Sequence, residues 1–400
     1  MGEIYFIILG ILGIGSLIDI LILNERVKKV LYILSILMLV VFFGTRGYLG
    51  YDWYSYKPNF EKVDDIFQVL SGNYKNIFHS GYEAGFQLYS SIIKAFSSNY
   101  LIFNFANTAT DFLLIYFIFK RYSKYPIFVL FLYFGIHGIA LEIDMMRNIK
   151  SILLFLCSIE YIEDRKPIVF IALNMLGMMF HSSSIIYFPM YFILNIKWNR
   201  KFILGLFVLG NIYYISNVRL IINGVRMFGS YLPGGIGQKI AGYLSIIPGD
   251  FPLGFSLFYA ERIVIFLLVY FAGYQLMSKR YGNIFLNSTY ISVFMFLYTS
   301  ELSVISLRFG ILFVYSYWFV IPMLIEKAMA PAVKIGIVAV AALICCFRIN
   351  NQLSFIGNKD IYIYENIFLK HRSAAEKWQK IEDAAKYKDE GHGKEISLLF

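Results

Sequence analysis

The chain has 400 residues, of which 58% are hydrophobic and 16% charged, with a formal net charge of +10 and a mean hydropathy of +0.63. That balance excludes a water-soluble globular domain and defines a polytopic membrane protein. The 32 tyrosines and 39 phenylalanines suit membrane interfaces, or the lining of a polar cavity. Cys157, Cys345 and Cys346 all fall inside apolar runs and read as small hydrophobes, with no disulfide or metal site implied.

In chain order, the first apolar run spans Ile4 to Leu23, follows an acidic Glu3 and has no small-residue cleavage site. It reads as a retained span and not as a signal peptide. Further runs follow at 30–44, 101–119, 126–141, 148–162, 167–180, 183–196, 202–215, 259–277, 284–298, 303–325 and 335–347. An all-α fold of about twelve transmembrane helices is predicted, several shorter than the ~20 residues that cross a bilayer comfortably. Lys and Arg gather in the connections 24–29, 120–125, 163–166, 197–201, 278–283 and 326–334, which are therefore cytoplasmic. The alternation requires 167–196 to be a hairpin of two short spans turning near His181, and it puts both termini outside. The basic surplus is thus accounted for by topology and anionic headgroups, and no nucleic-acid partner is implied.

The domain reading is a single transmembrane domain over 1–347, with outer loops of about 45–98 and 216–258, followed by an outer-face segment and tail over 348–400. In the first loop, Val63, Ile66, Phe67 and Leu70 share one helical face, and Phe86, Tyr89, Ile92, Ile93 and Phe96 another, which predicts interfacial helices. The second loop carries Pro233-Gly234-Gly235 and Pro248-Gly249-Asp250-Phe251-Pro252, with Arg219 and Arg226 seven apart and on one helical face. The tail from about Ala374 reads as an exposed helix with a loose end.

Several short patterns recur in a recognisable order. Arg46, Gly50, Asp52 and Tyr56 follow the second span; then come Glu83-Ala84-Gly85-Phe86, Met146-Arg147-Asn148, His181-Ser182-Ser183, Leu307-Arg308-Phe309 with Pro322 beyond it, and Tyr362-Ile363-Tyr364-Glu365-Asn366. The set resembles the EpsG family, a branch of the Wzy-type polysaccharide polymerases. One departure is Ile363 before Tyr364, where the family often has proline. The resemblance implies an integral-membrane glycosyltransferase in a bacterial cytoplasmic membrane, joining undecaprenyl-pyrophosphate-linked repeat units on the outer face. It also implies a lipid-linked oligosaccharide substrate, contact with membrane lipid, and a flippase and a chain-length regulator of the same pathway as partners.

The residue chemistry suits such a reaction. Breaking a glycosyl pyrophosphate builds negative charge on the leaving group, and arginine meets phosphate oxygens bidentately while staying charged. Arg46, Arg147 and Arg308 sit at or near expected outer ends of spans, with Arg219 and Arg226 in the second loop. The acceptor hydroxyl needs a base, for which Asp52, Glu83 and His181 are the main candidates. Glu142 and Asp144 flank Arg147 and are expected to neutralise it; His137 is a weaker candidate. Tyr56 and Tyr364 are substrate-contact candidates through their motifs, while Tyr48, Tyr51 and Tyr54 serve equally well as sugar platforms or as an aromatic belt. Asp64 and Asp65 lie on the polar side of the Val63–Leu70 pattern and read as a solvated face, so no metal and no cofactor is expected. The alternatives are a flippase or exporter for lipid-linked sugars, an O-antigen-type ligase, and a metal-dependent enzyme transferring single sugars. Charges gathered on one face, with no internal repeat, favour surface chemistry over transport.

Overall fold

The computed structural model describes residues 2–22, 24–78, 81–228, 254–301, 303–326, 330–354, 360–369 and 371–389. Among these the chain is all-α, with one isolated β-bridge, Arg46 with Asn366. Seven helices are long and apolar enough to cross a membrane: Glu3–Leu21, Glu25–Gly44, Tyr100–Tyr122, Pro126–Ile143, Leu257–Leu276, Arg308–Ile325 and Pro331–Ser354. The other expected runs are helical as well, but are shorter or more polar. The protein is therefore a polytopic helical membrane protein. Its described residues divide into two compact units, one of those up to Tyr191 and from Ile321 onwards, the other of those within Phe192–Val320.

In the first unit, α1 (Glu3–Leu21) packs against α8 (Pro126–Tyr133) and the Pro331–Ser354 helix, while α2 (Glu25–Gly44) packs against α7 (Tyr100–Tyr122). Between α2 and α7 the chain forms α3 (Trp53–Lys62), α4 (Ile66–Leu70), α5 (Lys75–Phe78) and α6 (Ala84–Lys94). Helix starts follow local chemistry. Asn24 accepts from the amides of Arg26 and Val27, Asn99 from that of Leu101, and Pro126 opens α8, where a missing N–H costs nothing. The orphan amides of Ile127 and Phe128 are taken up by the buried Asp19 carboxylate at 2.9 and 3.4 Å. Beyond α8 the ladder slips into a π segment over Phe134–Gly138, then resumes as α9 (Ile139–Ile143). Gly135 sits there because a side chain would collide with Cys345.

Helix α10 (Met146–Glu163) packs on α11 (Pro167–Phe180), and α11 ends where His181 turns extended at φ −152°, ψ 117°. A 3₁₀ turn over Ser182–Tyr187 follows. Tyr187 stacks on Phe155 at 3.8 Å and Tyr191 meets Phe170 at 5.2 Å, so the chain doubles back beside α10 and α11 as a hairpin. The basic connections close one end of this unit, where Arg121 pairs with Glu160 at 2.7 Å. His181, the α3–α6 segment and residues 360–381 gather at the opposite end.

There, Trp53, Tyr56, Phe60, Val63, Ile77, Phe86, Ile93, Tyr100, Phe103 and Met146 form a small core of their own. Lys94 fastens it by donating to the carbonyls of Phe60, Glu61 and Val63 at 3.2, 2.8 and 2.6 Å. Phe67, Leu70, Phe78 and Phe96 stay exposed, as interfacial helices require. Two expectations change here. Helix α4 starts only at Ile66, because Asp65 caps it in a reciprocal box with Gln68; Asp64 instead accepts from Asn76 at 3.0 Å. The Ala374–Asp389 helix is not free: Trp378 lies 3.7 Å from the ring of Tyr54, and Ala374 and Ile381 pack on the same core. Its polar sequence hides a one-sided apolar contact.

The second unit is built on Arg200–Ser216, Leu220–Phe228, Leu257–Ala272, Gly282–Thr299 and Ser303–Gly310. Phe207 stacks on Phe266 at 3.6 Å, and Asn287 donates to the carbonyls of Leu194 and Ile196, both at 2.8 Å. The two proline–glycine stretches named above lie outside the described residues.

Candidate active site

Five residues singled out in the sequence, spread from position 52 to position 181, meet at one end of the first unit. Arg147, in the first turn of α10, donates through Nη1 to Glu83 and through Nε to the Tyr56 hydroxyl at 3.2 Å. Its guanidinium lies 4.8 Å from the ring centre of Tyr82, 5.6 Å from that of Tyr56 and 6.0 Å from that of Phe86, so aromatic rings surround the cation. The other oxygen of Glu83 faces His181 Nδ1 at 3.3 Å and accepts the amide of Ser182 at 3.0 Å. Asp52, half-buried at the start of α3, lies one helical turn from Tyr56 and hydrogen-bonds with its hydroxyl. The break of α11 at His181 is what brings the imidazole to Glu83.

The electrostatics follow from this geometry. Burial pushes the Glu83 carboxyl up, but the hydrogen bond to His181, the charge of Arg147 and the Ser182 amide outweigh it and hold the group well below the usual carboxylate range. Glu83 is thus a fixed anion. Its folded value lies below its unfolded one, so its ionised form stabilises the fold above the ordinary carboxylate range and loses that contribution only as pH falls further, towards the folded value. The melting-temperature gap between wild type and Glu83→Gln is therefore expected to narrow as pH falls below about 4.3. A gap that widens below that pH would contradict the assignment.

Glu142 and Asp144 do not neutralise Arg147, as their spacing suggests. The helix breaks between Ile143 and Met146, and the carboxylates turn elsewhere: Glu142 receives the Tyr133 hydroxyl, and Asp144 receives the amides of Tyr51 and Asp52. Arg46 is also placed differently from an open phosphate contact. It is 1% exposed and donates to the carbonyls of Phe43 and Glu142, the latter at 2.7 Å, and to Thr108 Oγ1 at 3.1 Å. It caps the end of α2 from within. Tyr364 likewise anchors the C-terminal segment, stacking on Phe42 at 4.5 Å and donating to that residue's carbonyl at 2.9 Å. His137 is buried in the π segment. Arg308, on the last turn of Ser303–Gly310, is exposed, and Arg219 precedes the Leu220–Phe228 helix; both belong to the second unit. The side chain of Arg226 lies outside the described residues.

Sequence reasoning missed Tyr82, whose ring carries Arg147; its place beside Glu83 was the available signal. It also missed the buried pair Lys150–Asp111 at 2.7 Å, whose signal is a charge in the interior of each of two largely apolar helices, away from the charges at their ends. Among the described residues no His, Cys, Asp and Glu group is arranged to hold a metal ion.

These features define a helical membrane protein that holds an arginine, two carboxylates and a histidine together at one end of its bundle. The chain belongs to the EpsG family, which it matches over residues 29–366, a family of membrane proteins of the Wzy polysaccharide-polymerase type. The matched stretch contains every residue of the cluster. No curated protein and no solved structure matches the chain.

Proposed function

We propose that this protein polymerises lipid-linked oligosaccharide repeat units by glycosyl transfer at the outer face of the bacterial cytoplasmic membrane, with the Arg147–Glu83–His181 cluster as the reacting centre. The observation that carries the reading is the convergence of Asp52, Tyr56, Glu83, Arg147 and His181 at the end of the bundle remote from the basic connections. In the proposed step a hydroxyl oxygen of the incoming unit attacks the anomeric carbon of the growing chain. The bond from that carbon to undecaprenyl pyrophosphate breaks, and the pyrophosphate leaves with the electron pair.

Arg147 meets the charge that develops on the leaving oxygens, already held in place by its hydrogen bonds to Glu83 and the Tyr56 hydroxyl. Glu83, a poor base because of its low proton affinity, holds His181 through Nδ1 and leaves Nε2 to take the hydroxyl proton. Asp52 and Tyr56 offer hydrogen bonds to sugar hydroxyls. A flippase and a chain-length regulator of the same pathway would supply the units and set the product length.

The test is purified protein mixed with undecaprenyl-pyrophosphate-linked repeat units, read as a ladder of longer chains. His181→Ala is expected to lose about 10²–10⁴-fold in rate, the usual worth of a general base, with the protein retained in the membrane. A wild-type protein that moves labelled lipid across vesicles and yields no ladder would instead be a transporter.

A further inference from the structure

Asp144 has none of the roles assigned above, yet it accepts three hydrogen bonds beside the cluster. It closes α9, two residues before α10 begins and three before Arg147. Oδ1 accepts the amide of Tyr51 at 2.6 Å and that of Asp52 at 3.2 Å, while Oδ2 accepts the Tyr362 hydroxyl. The carboxylate reaches the backbone because Gly50, at φ +79°, presents no side chain; a Cβ there would collide with Asp144 and Ile143. Tyr362 is itself held by its chain. Residues 361–367 run beside 45–50, with Gly50 donating to the Ile361 carbonyl at 3.3 Å, Gly47 to that of Glu365 at 2.8 Å, and Ile367 to that of Thr45 at 2.9 Å. The Tyr362 carbonyl also accepts from the Tyr5 hydroxyl at 2.9 Å.

We propose that Asp144 is a positioning residue: it fixes the start of α3 against the start of α10, with Tyr362 as a clasp from the C-terminal segment, and so sets Asp52 and Tyr56 against Arg147. The inference rests on the glycosyl-transfer reading of the same cluster. Asp52 and Tyr56 sit at the start of α3 and Arg147 at the start of α10, so a shift between the two helix ends moves the Tyr56 hydroxyl off Arg147 Nε. A carboxylate suits the task because it accepts on both oxygens. Asparagine is isosteric, but it keeps the Tyr362 contact only by reversing it, with the hydroxyl accepting from the NH₂, and it loses the charge that strengthens all three bonds.

The experiment is the ladder assay run as steady-state kinetics on purified wild type, Asp144→Asn, Tyr362→Phe, Tyr56→Phe and the double variant Asp144→Asn/Tyr56→Phe. Asp144→Asn is expected to lower kcat by about 10- to 100-fold, the scale of a small misalignment, with KM within about threefold of wild type. In the Tyr56→Phe background the same change should cost clearly less, because the group it aligns is already gone. Wild-type kcat in Asp144→Asn, or an equal loss in both backgrounds, overturns the inference. Should Asp144→Asn fail to accumulate, Tyr362→Phe carries the test: a smaller drop in kcat at unchanged KM supports the clasp, and a wild-type kcat overturns it. Arg147→Ala separates the two levels of the claim. Full activity in that variant defeats the site reading itself, whereas an inactive Arg147→Ala beside a fully active Asp144→Asn defeats the positioning role alone.

Discussion

Arg147→Ala is expected to cut polymer formation by about 10²–10³-fold, the usual loss when one preorganised group facing transition-state charge is removed. The size of the effect follows from how the guanidinium is held. Glu83 and the Tyr56 hydroxyl accept from two of its nitrogens, and the ring centres of Tyr82 and Tyr56 lie 4.8 and 5.6 Å from it, so little reorganisation is needed when charge develops nearby. Arg147→Lys separates charge from geometry. An ammonium can reach Glu83 but cannot also engage Tyr56 through a rigid fork, so most of the loss should remain. The measurement is the initial rate of ladder formation per mole of membrane-inserted protein. A rate within threefold of wild type for Arg147→Ala would remove the residue from the chemistry. The change also leaves Glu83 without its main cation, so a lower melting temperature should accompany the loss; His181→Ala removes the hydrogen bond to the other Glu83 oxygen and should lower the melting temperature as well, while the Glu83–Arg147 pair stays.

The spans were legible because a bilayer rewards one pattern only: an apolar helix whose backbone satisfies itself. Glu3–Leu21, Glu25–Gly44 and Tyr100–Tyr122 fall where hydropathy puts them, and the hairpin turn at His181 follows from the alternation of basic connections. The polar motifs pointed to the right neighbourhood too, since Asp52, Tyr56, Glu83, Arg147 and His181 do meet. Their pairing was not legible. Arg147 finds Glu83, 64 positions away, and leaves Asp144, three positions away, because the helix break at Asp144–Met145 aims neighbouring side chains in different directions. Arg46 shows the same limit. Sequence marks it as a charge at a span end, but only the packing of α2 against α7, with the Glu142 carbonyl close by, shows that two carbonyls and a threonine accept its hydrogen bonds. The strand-like pairing of 45–50 with 361–367 carries no periodicity at all, since it depends on main-chain contacts more than 300 residues apart.

Lys150→Met is expected to be the most destabilising single change in the first unit, at about 3–5 kcal/mol, because it strands Asp111 as an unpaired charge. The two side chains are 4% and 0% exposed, Nζ lies 2.7 Å from the carboxylate and 3.2 Å from the Asn107 carbonyl, and the pair joins α10 to α7 through the middle of the bundle. Glu83–Arg147 differs in kind: its side chains are 17% and 22% exposed, which gives the access that the proposed reaction needs. The buried pair has no such access. Its removal should therefore show first in the yield of folded protein and in its melting temperature, with specific activity of the surviving fraction changed far less. Replacing both partners, as Lys150→Met with Asp111→Leu, removes the stranded charge and should recover most of the lost stability. The measurement is a four-corner cycle of melting temperatures in detergent. Losses that simply add in the double variant would mean that the two charges do not depend on each other. A double variant that recovers its stability but makes no polymer would place Lys150 and Asp111 in the reaction, and the line drawn here between an open working pair and a closed holding pair would fall.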